Sequence, residues 1–148
     1  MIIDGYLQFD SNLGLTSTAT STNVIDMVNA RDLGVGDDPA MKLAVIVTET
    51  FLSAGATTLQ IQVQGSTDNS SYTVMAESAA IGKASLVQGA NVFPIHLPSI
   101  APGQALPRYL RLNYVVATGP FTDGQLSAML VLDNQRERAY PPGIVIAN

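Results

Sequence analysis

The sequence predicts an all-β protein, an antiparallel two-sheet sandwich arranged as an eight-stranded jelly roll. Three observations carry this reading. Apolar and polar residues alternate with a period of two over 57–64 and again over 108–133, which is the strand period. Roughly eight such segments are separated by Gly, Pro, Asn, Asp and Ser turn signals. No stretch repeats its apolar residues at helical spacing. An immunoglobulin-like sandwich is the alternative, but the chain has neither Cys nor Trp and so lacks the Cys…Trp…Cys pattern. One sandwich domain over 1–148 is expected, with an extended loop over 11–23 and a C-terminal tail over 134–148.

In chain order, Ile3, Leu7 and Phe9 alternate with polar neighbours and predict a strand at the very start. The Ser- and Thr-rich run 11–23 reads as an ordered polar loop or arm, and 23–27 as a short strand. Gly34, Gly36 and Pro39 mark a loop over 29–41. The near-continuous apolar run 41–48 reads as a strand covered on both faces, since Val45, Ile46 and Val47 disfavour a helix. Residues 51–56 read as a turn around Gly55. Over 57–64, Leu59, Ile61 and Val63 point inward, while Thr58, Gln60, Gln62 and Gln64 form an uncharged outer row. A strand over 72–77 follows, then an irregular stretch over 78–90. Phe93, Ile95 and Leu97 mark a strand whose flanking Pro94 and Pro98 suit a sheet edge. Finally, 108–116 and 125–132 read as the two arms of a long hairpin, broken by Gly119-Pro120 and Asp123-Gly124.

Composition narrows the function. Only 13% of residues are charged, against about 25% in ordinary soluble domains. The surface must therefore be rich in Ser, Thr, Asn and Gln, or be covered by partners. A net charge of −5 argues against non-specific nucleic-acid binding, which needs clustered Lys and Arg. The charge is uneven: residues 1–74 hold eight acids and two bases, residues 75–148 four acids and five bases. The absence of Cys removes disulfides and thiolate chemistry. Met1-Ile2-Ile3-Asp4 has no basic n-region, so no signal peptide is visible and the protein is expected to be made in the cytoplasm. No apolar run approaches the roughly 20 residues of a membrane helix, and no membrane partner is expected.

Candidate chemistry is sparse. His96 is the only histidine, which is too few imidazoles for a cupin-type metal site. Asp37-Asp38 and Asp68-Asn69 could in principle bind calcium or serve glycoside hydrolysis, but adjacent acids in loops more often organise turns. Gly34-Val35-Gly36 is an incomplete dinucleotide fingerprint with no strand before it. No enzyme, no cofactor and no metal is therefore expected.

The segments TLQIQVQGSTDNSSYTVMAES and RYLRLNYVVATGPFTDGQLSAMLVLDNQ, with the opening MIIDGYLQFD, carry a resemblance that covers most of the chain in order. Together the chain resembles the small capsid cement, or decoration, proteins of tailed bacteriophages, of the kind known from a Bordetella phage. The resemblance implies a jelly-roll structural protein on the outer capsid surface of the virion. It implies that the major capsid protein is the partner, clamped against internal DNA pressure, and it implies no catalytic residue. A carbohydrate- or receptor-binding jelly-roll module is the alternative, weakened by the absence of Trp and by only 6% aromatic residues.

Attachment residues are expected outside the sandwich core. Phe121 is a bulky aromatic in the turn 118–124. The tail offers Arg136 and Arg138, which can pair with carboxylates, then Tyr140 and the apolar Ile144, Val145 and Ile146. The uncharged row Thr58, Gln60, Gln62 and Gln64, together with this apolar end, also predicts self-association as a homodimer or homotrimer.

Overall fold

A computed structural model describes residues 4–30, 41–97, 100 and 105–132. Its strands are β1 (Gln8–Gly14), β2 (Ala19–Thr20), β3 (Ile25–Asp26), β4 (Lys42–Leu52), β5 (Thr58–Ser66), β6 (Thr73–Glu77), β7 (Ile81–Gly82), β8 (Ile95–His96), β9 (Tyr109–Ala117) and β10 (Asp123–Val131). They form two antiparallel sheets facing each other, as the period-two rows predict. One sheet has the order β1-β10-β4-β8. The other has the order β2-β9-β5-β6, with β3 also on β9 and β7 also on β5. Among the described residues, the helical segments are two three-residue 3₁₀ turns, Gly5–Leu7 and Lys83–Ser85.

The core lies between the sheets. Leu59, Ile61 and Val63 of β5 and Leu110, Leu112 and Tyr114 of β9 form one wall. Leu43, Val45 and Val47 of β4 and Leu126, Ala128 and Leu130 of β10 form the other. Each fully buried Leu, Ile or Val contributes roughly 1.5–3 kcal/mol by leaving water. Strands β5 and β9 pair without a register shift from Thr58↔Ala117 to Ser66↔Tyr109.

The expected hairpin between 108–116 and 125–132 is not formed. β9 pairs with β5, β2 and β3, whereas β10 pairs with β1 and β4. The turn between them crosses from one sheet to the other, with Thr118 and Gly119 at positive φ (65° and 109°) and Gly124, at the start of β10, at 134°. Both apolar rows then meet face to face across the core. A hairpin would set them side by side.

Three boundaries also differ. The N-terminal strand begins at Gln8 and continues through Gly14 into the expected loop. Ahead of it, Asp4 caps a 3₁₀ turn by accepting the Tyr6 N–H. β4 runs on to Leu52, into the expected turn 51–56, because Phe51 belongs to the core, at 2% exposure. The stretch 78–90 contributes β7 and the buried Leu86. As expected, β8 lies at a sheet edge. On the outer side of β4, Ala44 is buried with Met129 and Val131, so that strand is partly covered on both faces.

Candidate functional site

The outer face of the six-stranded sheet is the most organised polar surface of the described residues. The side chains of β5 and β9 that turn away from the core meet there in register. Gln62 is opposite Asn113, and Gln64 is opposite Arg111. The Asn113 amide donates to Gln62 Oε1 at 2.8 Å, and Gln62 Nε2 donates to Glu77 Oε2 at 3.1 Å. Gln64 Nε2 also reaches Gln62 Oε1, at 3.4 Å. The Arg111 Nε donates to Gln64 Oε1 at 2.8 Å, and its guanidinium lies 3.7 Å from the centre of the Tyr72 ring. Tyr72 donates in turn to Asn69. Partial burial raises the Tyr72 pKa, and the Arg111 charge opposes that rise. Gln60 donates to the Ser78 carbonyl at 3.1 Å. The result is a rigid ladder of amides across three strands, its charges limited to Arg111 and Glu77. Mutual hydrogen bonding fixes the rotamers of side chains that would otherwise lose entropy on binding.

At one end of this sheet lies a groove of about 440 Å³. Its lining mixes the polar Ser66, Thr67, Ser71 and Thr73 with the apolar Met75 and Pro107. Gly65 permits the close approach: a Cβ there would stand 2.5 Å from the Met75 sulfur and 2.9 Å from Pro107. Beside the groove, Asp68 accepts from Ser66 Oγ and from the Ser70 and Ser71 N–H groups. Those donors, the Ser71 N–H foremost, hold its carboxyl below the ordinary range. Asp68 therefore organises its own turn, with Asn69 in the left-handed region at φ 59°.

A second polar cluster lies inside the sandwich. Asp10 of β1 and Tyr114 of β9 are both fully buried and bonded to each other, the Tyr114 hydroxyl donating at 2.6 Å. The Thr22 N–H donates to the other Asp10 oxygen at 2.7 Å. Burial first, then the Asp10 charge, pushes the Tyr114 hydroxyl well above its ordinary pKa. At the sheet end, Asp26 forms a two-point ion pair with Arg108 at 2.8 Å, which holds the Asp26 carboxyl at about 2.

The sequence-predicted residues distribute unevenly. The outer row Thr58, Gln60, Gln62 and Gln64 is brought together as expected, with Gln64 itself buried. Phe121 is in the core at 2% exposure, its ring 4.8 Å from that of Phe51 and edge-on to it. It therefore offers no ring surface to a partner. Arg136, Arg138, Tyr140, Ile144, Val145, Ile146 and the Asp37-Asp38 pair lie outside the described residues. His96 is exposed on edge strand β8. Among the described residues, no three His, Cys, Asp or Glu side chains gather as metal ligands would.

Sequence reasoning missed Arg111 with Tyr72, and Asp10 with Tyr114. The first pair is 39 positions apart and joins only through the β5–β6 turn. The second is masked by a register shift in β1 between Gln8 and Asp10, where two residues of β1 advance against one of β10; a second shift follows between Asp10 and Leu13. The shift between Gln8 and Asp10 turns both Phe9 and Asp10 inward, which plain alternation forbids.

The Bbp16 family model, which describes a Bordetella phage protein family, matches residues 9–130. No curated protein matches the chain.

Proposed function

The chain belongs to the Bbp16 family, a phage protein family, and from this we propose that it is a non-enzymatic virion protein. It binds the outside of the capsid and cements neighbouring major capsid subunits. The observation that carries the reading is the amide ladder on the six-stranded sheet. A cement protein must fit a fixed partner surface many times over, through modest contacts that symmetry multiplies. A rigid polar face with few charges meets that need. It offers hydrogen bonds without the several kcal/mol cost of burying unpaired ions, and its rotamers are already set.

We assign the capsid contact to this face, centred on Gln62, Gln64, Arg111 and Asn113, with self-association as a homodimer or homotrimer on the shell. The test is co-sedimentation of the full-length protein with capsids stripped of decoration, followed by heating. Saturable occupancy and a higher disruption temperature of the shell are expected. Saturable binding to a glycan array, with no binding to capsids, would replace cementing with carbohydrate recognition on the same face.

A further inference from the structure

The nine-residue strand β9 is a hazard if its free edge is exposed. Its sequence, YLRLNYVVA, is β-prone, holds no Pro and carries Arg111 as its only charge. Long apolar edges of this kind add foreign strands unless something covers them. β5 covers one side of β9. The other side is covered by a run of chain that is hardly regular structure at all.

That run starts at the buried Leu15, whose N–H donates to the Gly124 carbonyl. Thr18 Oγ1 accepts from the Val116 N–H at 2.9 Å. Ala19 and Thr20 pair with Tyr114 and Asn113. Ser21 closes both polar groups of Leu112: its N–H donates to the Leu112 carbonyl, and its Oγ accepts from the Leu112 N–H. Residues 22–24 then leave β9 and reach the other sheet. The Thr22 N–H donates to Asp10, the Asn23 N–H to the Phe9 carbonyl, and the Asn23 side chain to the Gln8 carbonyl. Ile25 and Asp26 return to pair with Leu110 and Tyr109. The ladder pieces are two residues each and cannot hold themselves, so something must fix the middle. The middle is held to β1 at Asn23 by the Phe9 and Gln8 carbonyls and at Thr22 by Asp10, and only Asp10 also reaches, through Tyr114, the strand that the run covers.

We propose that residues 15–26 form a locked strap that guards the edge of β9, with Asp10 as the lock. Asp10 is a positioning residue, and its two bonds span both sheets. Unlocking frees the Leu112 and Val116 N–H groups, which face the strap. The N–H groups of Arg111, Asn113 and Val115 alternate with these and face β5. The inference does not rest on capsid binding.

Residue-resolved amide exchange by NMR on the full chain tests it, in the wild type and in Tyr114→Phe. Exchange at Leu112 and Val116, and at Ser21 and Thr22, should rise about ten-fold or more above the rise at Arg111, Asn113 and Val115, which measures the share due to lower global stability. Equal acceleration of both rows would mean that the whole sandwich has loosened, and no acceleration would mean that the tie from Asp10 to Tyr114 does not hold the strap; either overturns the proposal. Should Tyr114→Phe fail to fold, the wild type in sub-denaturing urea carries the same test. The strap-facing row must then open before the β5-facing row, and simultaneous opening overturns the lock. The guard role is read by light scattering under the condition that opens the strap. Concentration-dependent association beyond that of the closed protein is expected, and an opened strap with unchanged association state overturns it.

Discussion

The Tyr114 hydroxyl, on the six-stranded sheet, donates at 2.6 Å to the Asp10 carboxylate, on the four-stranded sheet, with both residues fully buried. Removing that hydroxyl leaves an Asp10 oxygen in the core without its donor. Such an orphaned acceptor costs about 1–3 kcal/mol. Tyr114→Phe should lower the urea midpoint by a matching amount with an unchanged slope. A midpoint within error of wild type would show that water replaces the hydroxyl.

The same contact sets an alkaline limit. The Tyr114 pKa is raised well above 10.0 by burial and by Asp10. A raised pKa gives stability that is complete below the unfolded value and is lost as pH climbs above it. Stability should therefore fall as pH rises beyond about 10, with one tyrosine ionising only as the protein unfolds. Ultraviolet titration of the phenolate band alongside circular dichroism checks this. In Tyr114→Phe that late component should be absent.

Asp26 behaves in the opposite sense. The hydrogen bonds from Arg108, with the Val28 N–H second, hold its pKa at about 2, against an ordinary 3.8. Its contribution is present above 3.8 and is lost as pH falls toward 2. The pair is exposed, so global stability should barely register this change. The local signature is an NMR titration of the Asp26 carboxyl with a midpoint near 2, which Arg108→Gln returns toward the ordinary value.

Gly124 and Phe51 show how tightly the sheet crossing is built. Gly124 has φ 134°, and a Cβ there would stand 2.5 Å from the Phe51 ring. Gly124→Ala should cost roughly 1–3 kcal/mol of backbone strain and roughly 1–3 kcal/mol of overpacking. Gly5→Ala, with ordinary φ and no neighbour within 4 Å, should be close to neutral. Thermal unfolding of the two variants distinguishes a packing requirement from a general intolerance of Gly loss.

What was legible in the sequence follows from what period two encodes. It tells which residues turn inward, so the rows Leu59-Ile61-Val63, Leu110-Leu112-Tyr114 and Leu126-Ala128-Leu130 were readable, and with them the sandwich and the outer amide row. It does not tell which sheet a strand joins. The link 118–122 looks like a hairpin turn in residue type, and only the pairing of β9 with β5 and β10 with β4 reveals a crossing. Phe121 sits in no alternating row, so nothing local marked it as core; its partner Phe51 lies 70 positions away. Alternation places Asp10 outward, because the register shift between Gln8 and Asp10 has no signature in residue type.

The amide ladder yields the most direct test of the assigned capsid contact. Gln62 accepts from Asn113 and donates to Glu77, which lies directly opposite it in the β5–β6 pairing. Gln62→Glu keeps the shape and the acceptor for Asn113 but removes the donor, setting two carboxylates face to face. Like charges across a ladder destabilise by roughly 0.2–1 kcal/mol, so the fold should survive. Gln62→Glu also adds a negative charge at the centre of a nearly neutral face. If that face meets the shell, co-sedimentation with stripped capsids should weaken by about ten-fold or more at pH 7, and salt should restore it only in part, because an interfacial charge is poorly screened. Gln8→Glu, on β1 of the other sheet, should leave occupancy unchanged. Full occupancy for Gln62→Glu, with its folded spectrum intact, would move the contact off this face.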